Sequence, residues 1–245
     1  MEYAREAVKQ GSVALGVVSK THVILAALKR SHHELASHQE KIFEIDSNMG
    51  IAIAGLTSDA RALATYMRVE CLNHRFNHGH PMVTGRLVGQ VATKHQQRTM
   101  SSSSRPYGVG LLVGGYDRNG PHLYETDPSG LYTEYHAIAI GSRSQSARTY
   151  FERHLDAFPD ASLEELVHHA LRALQGSASD TVLTVENVSL AVVGKNYQFK
   201  LWGKADLEPY ITTIAAERAA SAQNEEPIVE DVPMGEGGEE KMEVE

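Results

Sequence analysis

The chain has 245 residues, enough for one large domain or two small ones, with 42% hydrophobic and 22% charged residues, an ordinary globular balance. It has no run of about 18 apolar residues, so no transmembrane helix and no membrane partner are expected, and its start lacks the apolar core of a signal peptide. The single cysteine, Cys71, leaves no internal disulfide framework and fits a reducing compartment.

The formal net charge of −8 lies wholly in residues 223–245, which hold nine acids and one base. The body is balanced and shows no basic face, so no nucleic-acid partner is expected. The tail has prolines and glycines and no aromatics. It reads as a disordered acidic segment following a domain over 1–222.

Two apolar runs, Ser12 to Val18 and Val23 to Leu28, flank a polar Ser19–His22 turn and predict a hairpin. Lys41 to Ile45 and Met49 to Ala54, joined across Asp46-Ser47-Asn48, predict a second. His32, His33 and His38 fall in the polar connection between the hairpins and read as solvent-facing.

A helix begins near Thr57 or Ser58, with Ala60, Leu63, Ala64, Met67 and Cys71 in one buried stripe. A second begins after Thr84, with Leu87, Val88, Val91 and His95 on one face. Strands follow at Val109 to Gly115, Pro121 to Glu125 and Tyr132 to Ile140. Ser142 with Gln145, and Ser162 with Glu165, fit capping boxes that open two more helices. Strands at Val188 to Val193 and Tyr197 to Trp202 precede a last helix, from about Asp206 to about Ala222. Grouped strands and grouped helices argue against βαβ units. Two packed sheets with helices on both outer faces would bury every stripe. The sequon Asn187-Val188-Ser189 lies in one of these strands and is discounted.

Arg105-Pro106-Tyr107-Gly108-Val109-Gly110 carries local information. Pro106 pushes Arg105 toward an extended conformation, and the glycines permit close backbone approach. The run also resembles a motif of proteasome alpha subunits. Glu2 through Ser12, Ala54-Gly55-Leu56-Thr57-Ser58-Asp59-Ala60-Arg61 and Ala139-Ile140-Gly141-Ser142 are similar to further motifs of that family, in the same order. Ala26 to Arg30, Ser142 to Tyr150 and the acidic tail look most like its type-1 branch.

The resemblance implies an α+β fold, the four-layer αββα sandwich of the N-terminal-nucleophile hydrolases. It implies a non-catalytic structural subunit of the 20S core in ubiquitin-dependent protein degradation, located in cytoplasm and nucleus and needing no cofactor. The implied partners are other alpha subunits in a heteroheptameric ring, beta subunits, and the C-termini of regulatory particles or activators. Family members carry an extension ahead of the position of Glu2: a gate-closing tail and a short helix. By this match the extension is missing from 1–245, as a truncation or a real short form. An orphan binding module outside any ring is one reading of that gap.

Three chemistries compete for the remaining candidates. Gly11-Ser12 looks like the self-processing junction of active beta subunits, and Lys41 falls where the family lysine falls. A hydrolase using Ser12 would need a free N-terminal amine and a nearby acid. Eleven residues precede Ser12, and Leu28 occupies the acid's position, so Ser12 reads as the start of a strand. His74, His78 and His80 could hold a metal, but imidazoles also suit a helix C-terminus. His168 and His169 are adjacent and cannot share a helix face, and Cys71 reads as a small buried apolar residue. The third chemistry follows from the resemblance. In alpha subunits a lysine at the position of Lys41 pairs with the C-terminal carboxylate of activators. Gly11 and Leu56 match other pocket positions, and Glu2 matches an acid close by.

Overall fold

The computed structural model describes residues 1–30, 35–178 and 181–224, with side chains described to 218. His32, His33 and the acidic segment 225–245 lie outside the described residues. Ten strands form two five-stranded antiparallel sheets. The first contains β1 (Ala14–Val18), β2 (His22–Leu28), β8 (Ala137–Ile140), β9 (Val188–Gly194) and β10 (Tyr197–Leu201), in the order β10-β9-β2-β1-β8. The second runs β3 (Ile42–Asp46), β4 (Met49–Gly55), β5 (Val109–Asp117), β6 (Gly120–Thr126) and β7 (Tyr132–Glu134).

Alternation along the central strands sets the layers. In β4, Met49, Ile51 and Ile53 pack against helices, while Ala52 and Ala54 face the other sheet. In β1, Leu15 and Val17 face helices and Ala14 faces inward. Side chains of period two on strands buried on both faces produce this division. Helices α2 (Thr57–His78) and α3 (Thr84–Met100) cover the second sheet, and α4 (Ser144–Arg153), α5 (Leu163–Ala178) and α6 (Lys204–Asn224) cover the first. The result is the αββα sandwich that the resemblance implied. Small residues on the inner faces let the sheets approach: a Cβ on Gly50 would stand 2.2 Å from the Phe199 ring.

Two local expectations need correction. Tyr132 to Ile140 is two strands, not one: β7 pairs with β6, and β8 pairs with β1 on the opposite sheet. The chain crosses between sheets at Tyr135 and His136, where Tyr135 N–H donates to Leu123 and the His136 carbonyl accepts from Val18. An apolar run does not reveal a change of sheet, because both halves are extended. The Ser142–Gln145 box does not form either. Arg143, with φ +56, caps α4 without a side-chain bond, and Ser142 Oγ accepts from Arg30 instead. Helix α1 (Glu2–Gln10) lies against β4 and β5.

The other capping box does form. Ser162 N–H donates to Glu165 Oε2 at 2.8 Å, and Glu165 N–H donates to Ser162 Oγ at 3.3 Å. Ser162→Ala is expected to cost about 1 kcal/mol, seen as a lower urea midpoint at an unchanged m-value.

Candidate functional site

One end of the sandwich brings four chain segments together. Gly11 follows α1, Ser12 precedes β1, Lys41 precedes β3, and Leu56 caps α2. With Arg30, Gln39 and Thr57 they line a cavity of about 240 Å³. Glycine is required where these backbones cross. Gly55 has φ +114, and a Cβ on Gly11 would lie 2.3 Å from the Gly55 nitrogen. Gly11, Lys41 and Leu56 are therefore neighbours in space. Glu2 does not line the cavity. It stands at the far end of α1, about 13 to 14 Å of helix rise from Gly11.

Lys41 is only 6% exposed. Its Nζ donates to Ser12 Oγ at 2.6 Å and to the Ser12 carbonyl. An ammonium has three N–H bonds, so one is left for a ligand. Burial, reinforced by the positive charge of Arg30, pushes the Lys41 pKa down to about 7. Ser12 Oγ–H donates in turn to the Leu28 carbonyl at 2.8 Å. The hydroxyl thus faces a carbonyl acceptor and a lysine donor, and its own nitrogen is a peptide amide. It therefore lacks the free N-terminal amine that a self-processing hydrolase uses as its base. The chain locks Ser12 into the β1–β2 end as a structural element.

The start of α2 is held from the other side. Asp59, 7% exposed, accepts two bonds from Arg105 at 2.7 and 2.8 Å and one from Gly108 N–H at 2.9 Å. Burial alone would raise the Asp59 pKa, but Arg105 and the Gly108 amide outweigh it and hold the carboxyl below its usual range. This is the structural meaning of the Arg105–Gly110 motif: it ties β5 to the first turn of α2. Asp59→Ala leaves a buried N–H and a guanidinium without their acceptor. It is expected to cost about 2 to 3 kcal/mol, with the loss in urea-unfolding free energy shared by Arg105→Ala in a double-mutant cycle.

Two parts of the cavity escaped sequence reasoning. Arg30 sits just beyond β2 and enters only through the hairpin register that pairs Ala14 with Ala27. The N-terminus of α2 has no side-chain cap, and Thr57 opens onto the cavity. Its first N–H groups form a local positive pole.

The other candidates resolve separately. The His74 ring centroid lies 4.4 Å from that of His78 and 5.1 Å from that of His80. Among the described residues, no three His, Cys, Asp or Glu side chains are placed to hold a metal. His169 bonds Tyr150 Oη at 2.9 Å, while His168 packs on Tyr210 of α6, on a different side of the helix. Cys71 is buried, and burial pushes its thiol up to about 12. His38 is half-buried rather than fully solvent-facing.

Comparison with known proteins agrees with this geometry. The family model described as proteasome subunit matches residues 8–193. A probable proteasome subunit alpha type-6 of Schizosaccharomyces pombe is 51% identical, over 93% of this chain and 86% of its own length. A proteasome subunit alpha type-1 of Dictyostelium discoideum is 48% identical, over 93% and 90%. The alpha type-6 subunit of Saccharomyces cerevisiae is 45% identical, over 86% and 91%. Identity of this extent, on a sandwich whose serine lacks both an amine and an acid, assigns the branch as well as the family. The chain belongs to the proteasome subunit family, on its alpha branch, as a structural, non-catalytic subunit of the 20S core.

Proposed function

We propose that the cavity beside Lys41 receives the C-terminal carboxylate of an activator or regulatory-particle protein. One observation carries this reading: Lys41, Arg30 and the uncapped start of α2 converge on one cavity among the described residues. An ammonium with a spare N–H and a helix N-terminus together suit a carboxylate. Leu56, 45% exposed, offers an apolar edge for the side chain that precedes it. Gly11 keeps the entrance open by letting α1 end against β4. Glu2 takes no part in this cavity.

In the same reading the chain sits in a heteroheptameric alpha ring above a beta ring, in cytoplasm and nucleus, and serves ubiquitin-dependent degradation. Native mass spectrometry of the particle tests the ring. Seven different alpha-type chains, with this one among them, are expected, and a free monomer would overturn it.

Docking is tested on the assembled particle with fluorescent peptides ending in a free carboxylate or an amide. The carboxylate peptide should lose at least about tenfold in affinity on Lys41→Met, or about 1.4 kcal/mol. The amide peptide should be indifferent to the substitution. Equal binding of the carboxylate peptide to both proteins would overturn the role of Lys41.

A further inference from the structure

A second cavity, of about 590 Å³, opens where β2 ends beside the last turn of α5. Lys29, Arg30, His38 and Arg143 line it, and no acid stands among its described lining residues. Arg30 is bonded to Ser142 Oγ at 2.9 Å. Lys29 and Arg143 form no ion pair with a described residue. Glu186, whose charge interacts with Lys29 and His38, is already paired with Lys204. Ser177 also lines the cavity. It is 4% exposed, and its hydroxyl has no partner among the described residues. A buried hydroxyl without a partner is unusual and points to a polar occupant.

The course of α6 indicates which occupant. Tyr210 of α6 packs on His168 of α5 at 5.3 Å, and seven residues later Glu217 pairs with Arg172. The two helices therefore run in the same sense. Ser177 lies five residues past Arg172, about 8 Å of rise, and Asn224 lies seven past Glu217, about 10 Å. The end of α6 comes level with the end of α5 and with the cavity. There the chain continues into 225–245, which holds all nine of the tail's acids, beginning with Glu225 and Glu226. Fully extended, that segment spans about 70 Å, so length does not limit its reach.

We propose that the acidic segment 225–245 of this chain docks in the basic cavity formed by Lys29, Arg30, His38 and Arg143. Its carboxylates meet Lys29 and Arg143, which have no ion-pair partner among the described residues, in a partly enclosed space, and one of them accepts the Ser177 hydroxyl proton in a hydrogen bond. The competing account is that these cations only offset the negative pole at the C-terminal end of α5.

Zero-length carbodiimide cross-linking of the purified particle separates the two, since it joins lysine amines to carboxylates in direct contact. Lys29 is expected to link to acids in Glu225–Asp231 of its own chain. The yield should fall when salt is raised from about 0.05 to about 0.5 M, because the Debye length contracts from well over 10 Å to a few ångströms. Arg143→Glu should cut the yield at least about fivefold, with Arg143→Lys retaining it. Three outcomes would overturn the proposal: no Lys29–tail product, tail acids linked to other lysines or other subunits, or an Arg143→Glu protein with lower thermal stability and an unchanged Lys29–tail yield.

Discussion

Gly55→Ala is expected to destabilise the chain by about 4 kcal/mol, the largest effect of any single methyl group at the cavity. Two costs add. The backbone of Gly55 has φ +114, outside the regions open to alanine, and forcing a side chain there costs on the order of 1 to 3 kcal/mol. The new Cβ would also stand 2.3 Å from the Gly108 carbonyl oxygen. That oxygen is a backbone atom and already accepts the Leu56 N–H at 2.9 Å. It cannot rotate away as a side chain could, so the strands must separate, an overpacking cost of about 1 to 3 kcal/mol. The displacement falls on Leu56 and the start of α2, so carboxylate-peptide affinity should drop with stability. Urea unfolding measures the first and peptide titration the second. A variant within about 1 kcal/mol of the natural protein would show that β4 and β5 part more easily than their register suggests.

The layers were legible because burial leaves a periodic mark. The stripe Ala60, Leu63, Ala64, Met67 and Cys71 is buried as read, and so is Leu87, Val88, Val91 and His95. Ser162 caps α5 because both members of its box are free to meet. Ser142 fails for a reason no local pattern carries: Arg30, distant in sequence, takes its hydroxyl. The crossing at Tyr135 was hidden for a similar reason, since hydrogen bonding to one sheet or the other leaves the residue pattern unchanged. The cavity lies between these cases. The motifs located Gly11, Lys41 and Leu56 through resemblance, but spacing alone could not bring them within one wall. That requires the turn at Gly55 and the β1–β2 register, both products of tertiary contact. Glu2 keeps its place in the motif and stands a helix length from the cavity.

The stability of the natural chain relative to Lys41→Met is expected to rise by about 4 kcal/mol between pH 7 and 10.5. The folded pKa of Lys41 lies near 7 and its ordinary value is 10.5, because burial and then Arg30 disfavour the ammonium. Over that window the unfolded chain holds a proton on Lys41 that the folded chain has released. Stability rises with pH wherever the unfolded state binds more protons, by about 1.4 kcal/mol per unit. Below pH 7 both states are protonated and the penalty is complete. Above 10.5 both are neutral and it is gone. His122 works in the opposite sense. Its bond to Asp117, against the cost of burial and with help from Glu134, raises its pKa to about 9. Its stabilisation is therefore lost between about 6.5 and 9, so only the difference between the two proteins isolates Lys41. A pH-independent difference would mean that the amine is solvated in the folded chain. Carboxylate docking carries the reverse dependence. A carboxylate at the spare N–H favours the ammonium, so binding draws in a proton and weakens as pH rises above about 7. The amide peptide should show no such slope. Parallel pH profiles for the two peptides would mean that Lys41 does not meet the carboxylate, whatever the affinity.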